Sequence, residues 1–124
     1  MNFVFAQDCI EGVEVELWDS CYSIEQTQIL NLYESDLTGE IPDDIGELVN
    51  LVSLILPFNE LTGQIPESIG KLENLELLDL RDNQLTGNIP ESICLINNNF
   101  NYLNISNNFL CPPYPTCIQN DVGT

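Results

Sequence analysis

Leucine and isoleucine positions recur along the central part of this chain with a period of 24 residues. Within each repeat, as in Leu54-Ile55-Leu56, the residues that match between copies alternate with residues that do not. This alternation is typical of a short strand with one buried face. The matching columns of the two central copies are Leu48, Leu51, Leu54 and Leu56, and then Leu72, Leu75, Leu78 and Leu80. We therefore predict stacked coils whose strands are parallel and about 4.8 Å apart.

A six-residue motif, Leu-Thr-Gly-x-Ile-Pro, occurs three times, at residues 37–42, 61–66 and 85–90. A period of this length is typical of a solenoid, in which each repeat is one coil and only stacked coils enclose a core. Each of these motifs ends one coil, the first of which begins at residue 24, and a degenerate fourth coil follows at a shift of 25, with Leu103 and Ile105 in the core columns. The sequence thus predicts four coils over residues 24–111.

Asparagine follows the strand in most coils, at Asn59, Asn83 and Asn108. An amide at this inward turn can donate to and accept from the backbone of neighbouring coils. Ser35 takes the same position in the first coil and has less hydrogen-bonding capacity. The glycine of each motif permits backbone angles that are costly for other residues, and the proline fixes an extended turn on the outer side.

These residues spell LxxLxLxxNxLTGxIPxxIGxLxN, and the chain resembles leucine-rich repeat proteins of the Leu-Thr-Gly-x-Ile-Pro, or plant-specific, subclass. The subclass is familiar from plant receptor-kinase ectodomains, polygalacturonase-inhibiting proteins and secreted microbial proteins. Because this chain lacks the tight cysteine–tryptophan motif of the plant amino-terminal cap, it resembles the secreted microbial members most. The resemblance implies an α/β-type solenoid: a short right-handed coil stack with a parallel concave sheet, four coils, disulfide caps and little regular helix.

Five cysteines lie at the two ends of the repeats, where an open solenoid needs caps. A disulfide between Cys9 and Cys21 would staple the amino-terminal cap. At the other end we favour Cys94 with Cys117, because stacked coils bring their Cα atoms within disulfide reach. Cys111 with Cys117 is the competing pair. The odd cysteine indicates a free thiol, an intermolecular bridge or, as we favour, a chain cut before its last partner.

The chain divides into three predicted segments: residues 1–23, 24–111 and 112–124. The first is read as a signal-peptide remnant at residues 3–6 followed by the amino-terminal cap, with a buried strand as the alternative for those four residues. The second holds the repeats, and the third is a carboxyl-terminal cap that we expect to be truncated. Disulfide caps imply an oxidising compartment, so we expect a secreted or cell-surface protein.

Twenty acidic residues against two basic ones give a net charge of −18. This balance excludes binding to nucleic acid and to anionic membranes, and no apolar run is long enough for membrane insertion. We expect no enzyme, since the chain has no histidine to activate a cysteine and a shallow face offers no cleft for a carboxylate pair. We also expect no cofactor and no metal, because the acids lack the spacing of a calcium loop.

The concave face should be mostly polar, yet five of its residues are not: Tyr33, Ile55, Pro57, Phe58 and Leu77. Neighbouring coils should bring Tyr33, Ile55 and Phe58 close together. We call these three residues the concave patch. Exposed apolar surface of this kind marks interfaces. Arg81 is the one cation predicted beside it. The full set of candidate ligand-binding residues is Tyr33, Ile55, Phe58, Leu77, Asp79, Arg81 and Tyr102.

Four strands give a face about 15–20 Å wide, which is smaller than a standard protein–protein footprint. The leading hypothesis is an extracellular recognition or adhesion module that binds a protein, peptide or glycan through this face. The resemblance also implies an alternative, an inhibitor of a secreted enzyme such as a polysaccharide hydrolase. Ice binding, known among plant relatives, is disfavoured by the acids on the outer turns. Exposed strand edges would permit an end-to-end homodimer.

Overall fold

The computed structural model describes residues 8–96 and 100–118. The predicted signal remnant at residues 3–6 lies outside these ranges, as does the end of the expected carboxyl-terminal cap. The described strands are β1 (Glu14–Leu17), β2 (Ser20–Ser23), β3 (Ile29–Asn31), β4 (Thr38–Glu40), β5 (Ser53–Ile55), β6 (Glu60–Thr62), β7 (Leu77–Asp79), β8 (Thr86–Asn88), β9 (Tyr102–Asn104) and β10 (Phe109–Cys111). The described helices are all of the 3-10 type, at Asp43–Glu47, Glu67–Lys71, Glu91–Leu95 and Thr116–Ile118.

The main sheet is parallel, with strand order β3-β5-β7-β9. Its register aligns one core leucine from each coil, in the order Leu30, Leu54, Leu78 and Leu103. The first two steps are 24 residues and the last is 25, as the repeat alignment predicts. The described repeats thus form a short leucine-rich repeat solenoid with a parallel sheet along one side.

The core is one continuous column of aliphatic side chains between the sheet and the 3-10 helices. The leucines at the matching columns of both central copies have no exposed surface. Burying each leucine side chain contributes about 1.5–3 kcal/mol to stability. At the amino-terminal end, Val15 and Leu17 of the β1–β2 hairpin join the same column and cover the first coil.

The repeated asparagines tie each coil to the one before it. The side-chain Oδ1 of Asn83 accepts from the Leu61 amide at 3.1 Å, and its Nδ2 donates to the carbonyls of Leu56, Leu80 and Arg81 at 3.0–3.2 Å. Asn59 and Asn108 repeat this arrangement one coil away on either side. These bonds satisfy backbone groups that the turn leaves unpaired, as predicted from the sequence.

The outer side of each coil is a five-residue 3-10 helix rather than an α-helix in the described ranges. Each begins after the motif proline, whose backbone is extended, and ends at the next core residue. In the first two of these helices, stacking is too close for a side chain at the fourth position, which is Gly46 or Gly70. A Cβ on Gly70 would lie 2.8 Å from the carbonyl oxygen of Ser92 in the next coil.

Disulfides fasten both ends of the described solenoid. Cys9 and Cys21 are joined, with Cα atoms 5.5 Å apart. Cys94 and Cys117 are joined across stacked 3-10 helices, with Cα atoms 5.7 Å apart. The structure therefore forms the favoured pairing and not the competing one between Cys111 and Cys117. Cys111 is exposed and has a free thiol. Within the described ranges, no helix combines the length and apolar character needed to cross a bilayer.

Candidate functional site

The outward positions of the main sheet form rows that run across the coils. The first row is Ile29, Ser53, Leu77 and Tyr102, and the second is Asn31, Ile55, Asp79 and Asn104. Each row therefore takes one residue from each of four coils. Because these positions face away from the leucine core, their side chains are free to differ between copies.

The chain leaves each strand through a residue in the left-handed region of the backbone. These residues are Glu34, Phe58, Asp82 and Asn107, with φ angles of 49°, 60°, 56° and 56°. The amide of Phe58 donates to the carbonyl of Arg81 at 3.3 Å, and Glu34 and Asp82 make the equivalent bond to their next coils. Asparagine tolerates this conformation, whereas a bulky residue there is strained. Phe58 therefore occupies a position for which its backbone preference is poor.

The side chain of Phe58 contacts two others on the concave face. Its ring meets that of Tyr33 edge to face, with centroids 5.5 Å apart and an interplanar angle of 77°. On the neighbouring coil, Cζ of Arg81 lies 5.4 Å from the Phe58 ring centroid, in cation–π range. Tyr33 and Phe58 nevertheless remain 50% and 44% exposed. The pair is an ordered aromatic surface that is open to solvent.

Arg81 also contacts Asp79, which is buried in the same sheet face. Its Nε lies 3.3 Å from Asp79 Oδ2, a charge contact that lacks the alignment of a hydrogen bond. Asp79 is only 6% exposed. Burial raises the pKa of its carboxyl, and the negative charge of Asp82 raises it further. The hydrogen bond from the Arg81 amide and the positive charge of Arg81 lower it. The net direction is upward because burial has the largest effect.

Asp79 belongs to a turn that recurs between coils. Its Oδ1 accepts from the amide two residues later, at Arg81, and Asn31 and Asn104 make the same bond to Tyr33 and Ser106. Such turns orient the residue that follows the strand. The prediction that Asp79 offers its carboxylate to a ligand does not fit its burial. Its described contacts place it beneath Arg81 as a support.

The other predicted ligand residues differ in how far they reach solvent. Tyr102 is 41% exposed, and Ile55 and Leu77 are partly buried, with Leu77 opposite Tyr102 in the sheet register. Ile29 is not part of the predicted concave patch, although it is 66% exposed in the first row. Its position directly before a core leucine was the signal for an outward side chain. Ile29 is thus a further exposed apolar residue at one end of the first row, where Ser53 separates it from Leu77.

Another concavity lies along the repeated motifs rather than on the sheet face. It encloses about 650 Å³ and its wall includes Asp43, Glu67 and Glu91, one carboxylate from each of three coils. Its isoleucine floor is almost fully buried, so it offers little apolar surface to a ligand. We call it the acidic groove. Its carboxylates make it the second acidic concavity to compare with the concave patch.

Within the described ranges, the side chains that converge with metal-ligand spacing are Cys9, Glu14 and Cys21. The two sulfurs form a disulfide, so they are not available as thiolate ligands. Glu14 accepts a hydrogen bond from the Ile10 amide at 3.0 Å. This cluster is therefore part of the amino-terminal cap and offers no metal site in its oxidised form.

Comparison with known proteins agrees with the repeat geometry. Residues 50–72 and 74–96 match the Leucine Rich Repeat family. This chain folds as a leucine-rich repeat solenoid. No curated protein sequence matches it significantly. The chain is nevertheless similar to several solved plant structures.

The Arabidopsis thaliana BIR3–SERK2 complex contains a chain that is 34% identical, with a TM-score of 0.72 over 77% of this chain and 53% of that one. The plant peptide hormone receptor RGFR1, solved with RGF2, is 41% identical, with a TM-score of 0.64 over 67% of this chain and 13% of the receptor. A plant ice-binding protein is 34% identical, with a TM-score of 0.63 over 67% of this chain and 27% of the ice-binding protein. The chain spans about half of the first relative and less of the others.

Proposed function

We propose that this protein is an extracellular recognition module that binds a protein or peptide through the concave patch. The observation that carries the proposal is the aromatic pair of Tyr33 and Phe58. The two rings are fixed against each other, yet about half of each side chain is exposed on the face of a sheet. Ordered aromatic side chains that remain exposed are typical of binding hot spots.

The size of the face favours a peptide or a protruding loop as the ligand. Four strands present a width of about 15–20 Å, which a segment of several extended residues spans. A globular partner needs a footprint larger than this face provides. The similar solved structures include a peptide hormone receptor in complex with its ligand and a complex of two plant proteins, which supports the same class of partner.

Two structural features support an extracellular setting. Both ends of the described solenoid are closed by disulfides, which persist in oxidising compartments. The similar solved structures include receptor ectodomains. These observations favour a secreted or cell-surface protein over a cytosolic one.

Neither of the other functions considered from the sequence has a specific observation in its favour. Inhibition of a secreted enzyme would use the same face, and no contact among the described residues favours it over binding of a peptide. Ice binding is named for one similar structure. The outer turns of this chain carry exposed Asp43, Glu67 and Glu91, and an ice-binding face needs a flat array of small polar residues instead.

The proposal is tested by screening the protein against panels of secreted proteins and peptides, in parallel with a variant of the concave patch. Tyr33→Ser, Ile55→Ser and Phe58→Ser together should abolish binding of any specific ligand. A control variant carries Val49→Ser, Leu95→Ser and Phe109→Ser, which remove three exposed apolar residues elsewhere. Equal binding by the wild type and the patch variant would overturn the proposal, as would loss of binding in the control alone.

A further inference from the structure

We infer that the segment bound by the concave patch is cationic as well as apolar, with basic side chains on either side of an apolar one. This inference rests on the proposed function and specifies its ligand. Two observations support the inference. Acidic residues flank Phe58 on the concave face, and the guanidinium of Arg81 is already in contact with Asp79 and Phe58.

In the column of residues that follow the strands, Phe58 lies between two acidic positions. Glu34 precedes it and Asp82 follows it in the column of left-handed residues, one coil away on either side. Glu34 is exposed and Asp82 is partly so. Two strand spacings separate these positions, a distance of about 10 Å. Basic side chains two to four residues apart in an extended peptide span about 7–14 Å, which matches this separation.

Arg81 does not provide a free anion site on this face. Its guanidinium is next to the Asp79 carboxylate on one side and lies over the Phe58 ring on the other. A ligand carboxylate that approached Arg81 would compete with Asp79 and would also face Asp82. Like-charge contacts of this kind disfavour an acidic partner.

The charge of the whole chain acts in the same direction. A net charge of −18 attracts cationic segments from a distance and accelerates their encounter with the surface. The exposed rings of Tyr33 and Phe58 then supply a place for an apolar side chain or for cation–π contact with a basic one. Specific binding therefore needs both kinds of ligand side chain, which distinguishes it from attraction by charge alone.

Two fluorescent decapeptides with a serine–glycine background test this inference. One carries two lysines four residues apart with a leucine midway between them, so that in an extended chain all three side chains lie on one face, and the other has glutamates in place of the lysines. We expect the lysine peptide to bind with a Kd that weakens several-fold between about 50 mM and 300 mM salt, where screening is stronger. Glu34→Gln with Asp82→Asn should weaken binding about tenfold more than the charge-matched control Glu67→Gln with Glu91→Gln in the acidic groove. Thermal unfolding of each variant verifies that it is folded.

The outcomes separate the inference from the proposed function. Preference for the glutamate peptide, with binding lost in Tyr33→Ser/Phe58→Ser, would overturn the cationic assignment and retain the concave patch as a site. A larger effect from the acidic-groove pair, or absence of binding by the lysine peptide at millimolar concentration, would also overturn the inference. Binding of both peptides that is insensitive to Tyr33→Ser/Phe58→Ser would count against the proposed function itself.

Discussion

The ring of Tyr33 meets the ring of Phe58 edge to face, with centroids 5.5 Å apart, across the boundary between the first and second coils. Neither residue belongs to the pattern that the repeats share. The leucines, asparagines and motif residues of the same coils are used to hold the stack together. In this protein the residues that differ between repeats therefore carry the candidate site, on a scaffold formed by those that match.

The left-handed backbone at Phe58 leads to a stability prediction that reverses the usual order of two substitutions. Phe58→Ala and Phe58→Gly both remove the ring, but alanine retains the cost of a Cβ at a φ of 60°. We expect the free energy of unfolding of the glycine variant to be about 1 kcal/mol larger than that of the alanine variant, so that the glycine variant is the more stable. Urea unfolding of both variants measures the difference.

Val49 provides the control for this comparison. It is exposed and is not among the residues with positive φ. There the usual order should hold, with Val49→Ala more stable than Val49→Gly by about 0.5–1 kcal/mol. If alanine were also the more stable replacement at Phe58, the strained backbone that we describe would not exist in solution.

The buried carboxyl of Asp79 predicts a pH dependence with a defined sign. Its pKa in the folded protein is raised above the ordinary value of 3.8, chiefly by burial. Its contribution to stability is therefore fully present below about pH 3.8 and is lost as the pH rises through the folded pKa. Asp79→Asn keeps an oxygen for the Arg81 amide and removes the charge. The stability of this variant relative to the wild type should increase as pH rises through that window.

Denaturant unfolding of both proteins between about pH 3 and pH 7 measures this relative stability. Taking the difference between the two proteins removes the effect of the other carboxyl groups. If the stability of the variant relative to the wild type instead decreased as the pH rose, the contact between Asp79 and Arg81 would outweigh burial. Our account of the carboxyl would then be wrong.

The hydrogen bonds that Asn59, Asn83 and Asn108 make between coils predict that replacing one of these asparagines lowers stability far more than replacing an exposed asparagine. Asn83→Ala leaves the buried Leu61 amide and several carbonyls without their partner. We expect it to lower the free energy of unfolding by about 3 kcal/mol. Exposed Asn74 makes one bond of 3.3 Å to the Val49 carbonyl, and its replacement by alanine should change stability by no more than about 0.5 kcal/mol. Similar losses of stability at both sites would show that the buried asparagine hydrogen bonds do not stabilise the stacked coils.

The cysteine pairing predicts a specific count of reactive thiols. Alkylation of the native protein should modify Cys111 alone, and alkylation after denaturation and reduction should modify all five cysteines. Mass spectrometry of the intact protein and its peptides gives both counts. Modification of Cys94 or Cys117 in the native protein would exclude the pairing at the carboxyl-terminal end.

The sequence was sufficient to predict the scaffold because each scaffold position is constrained the same way in every coil. The leucine columns, the shift of 25 before Leu103 and the roles of Asn59 and Asn83 follow from period and side-chain chemistry alone. The 3-10 type of the outer helices was not predicted, since it depends on how closely Gly70 and its neighbours stack.

The candidate site was predictable only in part. The alternation of the strands indicated that Tyr33 and Phe58 lie on one face, and the structure brings them into contact. The burial of Asp79 and the stacking of Arg81 on Phe58 could not be read from the sequence. Both depend on side-chain directions that the left-handed turn and the hydrogen bond to the Arg81 amide determine. These are three-dimensional consequences of residues that appear once, outside the repeat.

Mapping the bound lysine–leucine decapeptide by NMR tests the central claim most directly. We predict that the largest amide shift changes cluster at Tyr33, Ile55 and Phe58 and on the adjoining concave strands, with little change at Asp43 or Glu67. Changes concentrated along the acidic groove, with the concave patch unaffected, would contradict the claim that the protein recognises its ligand through the concave sheet face.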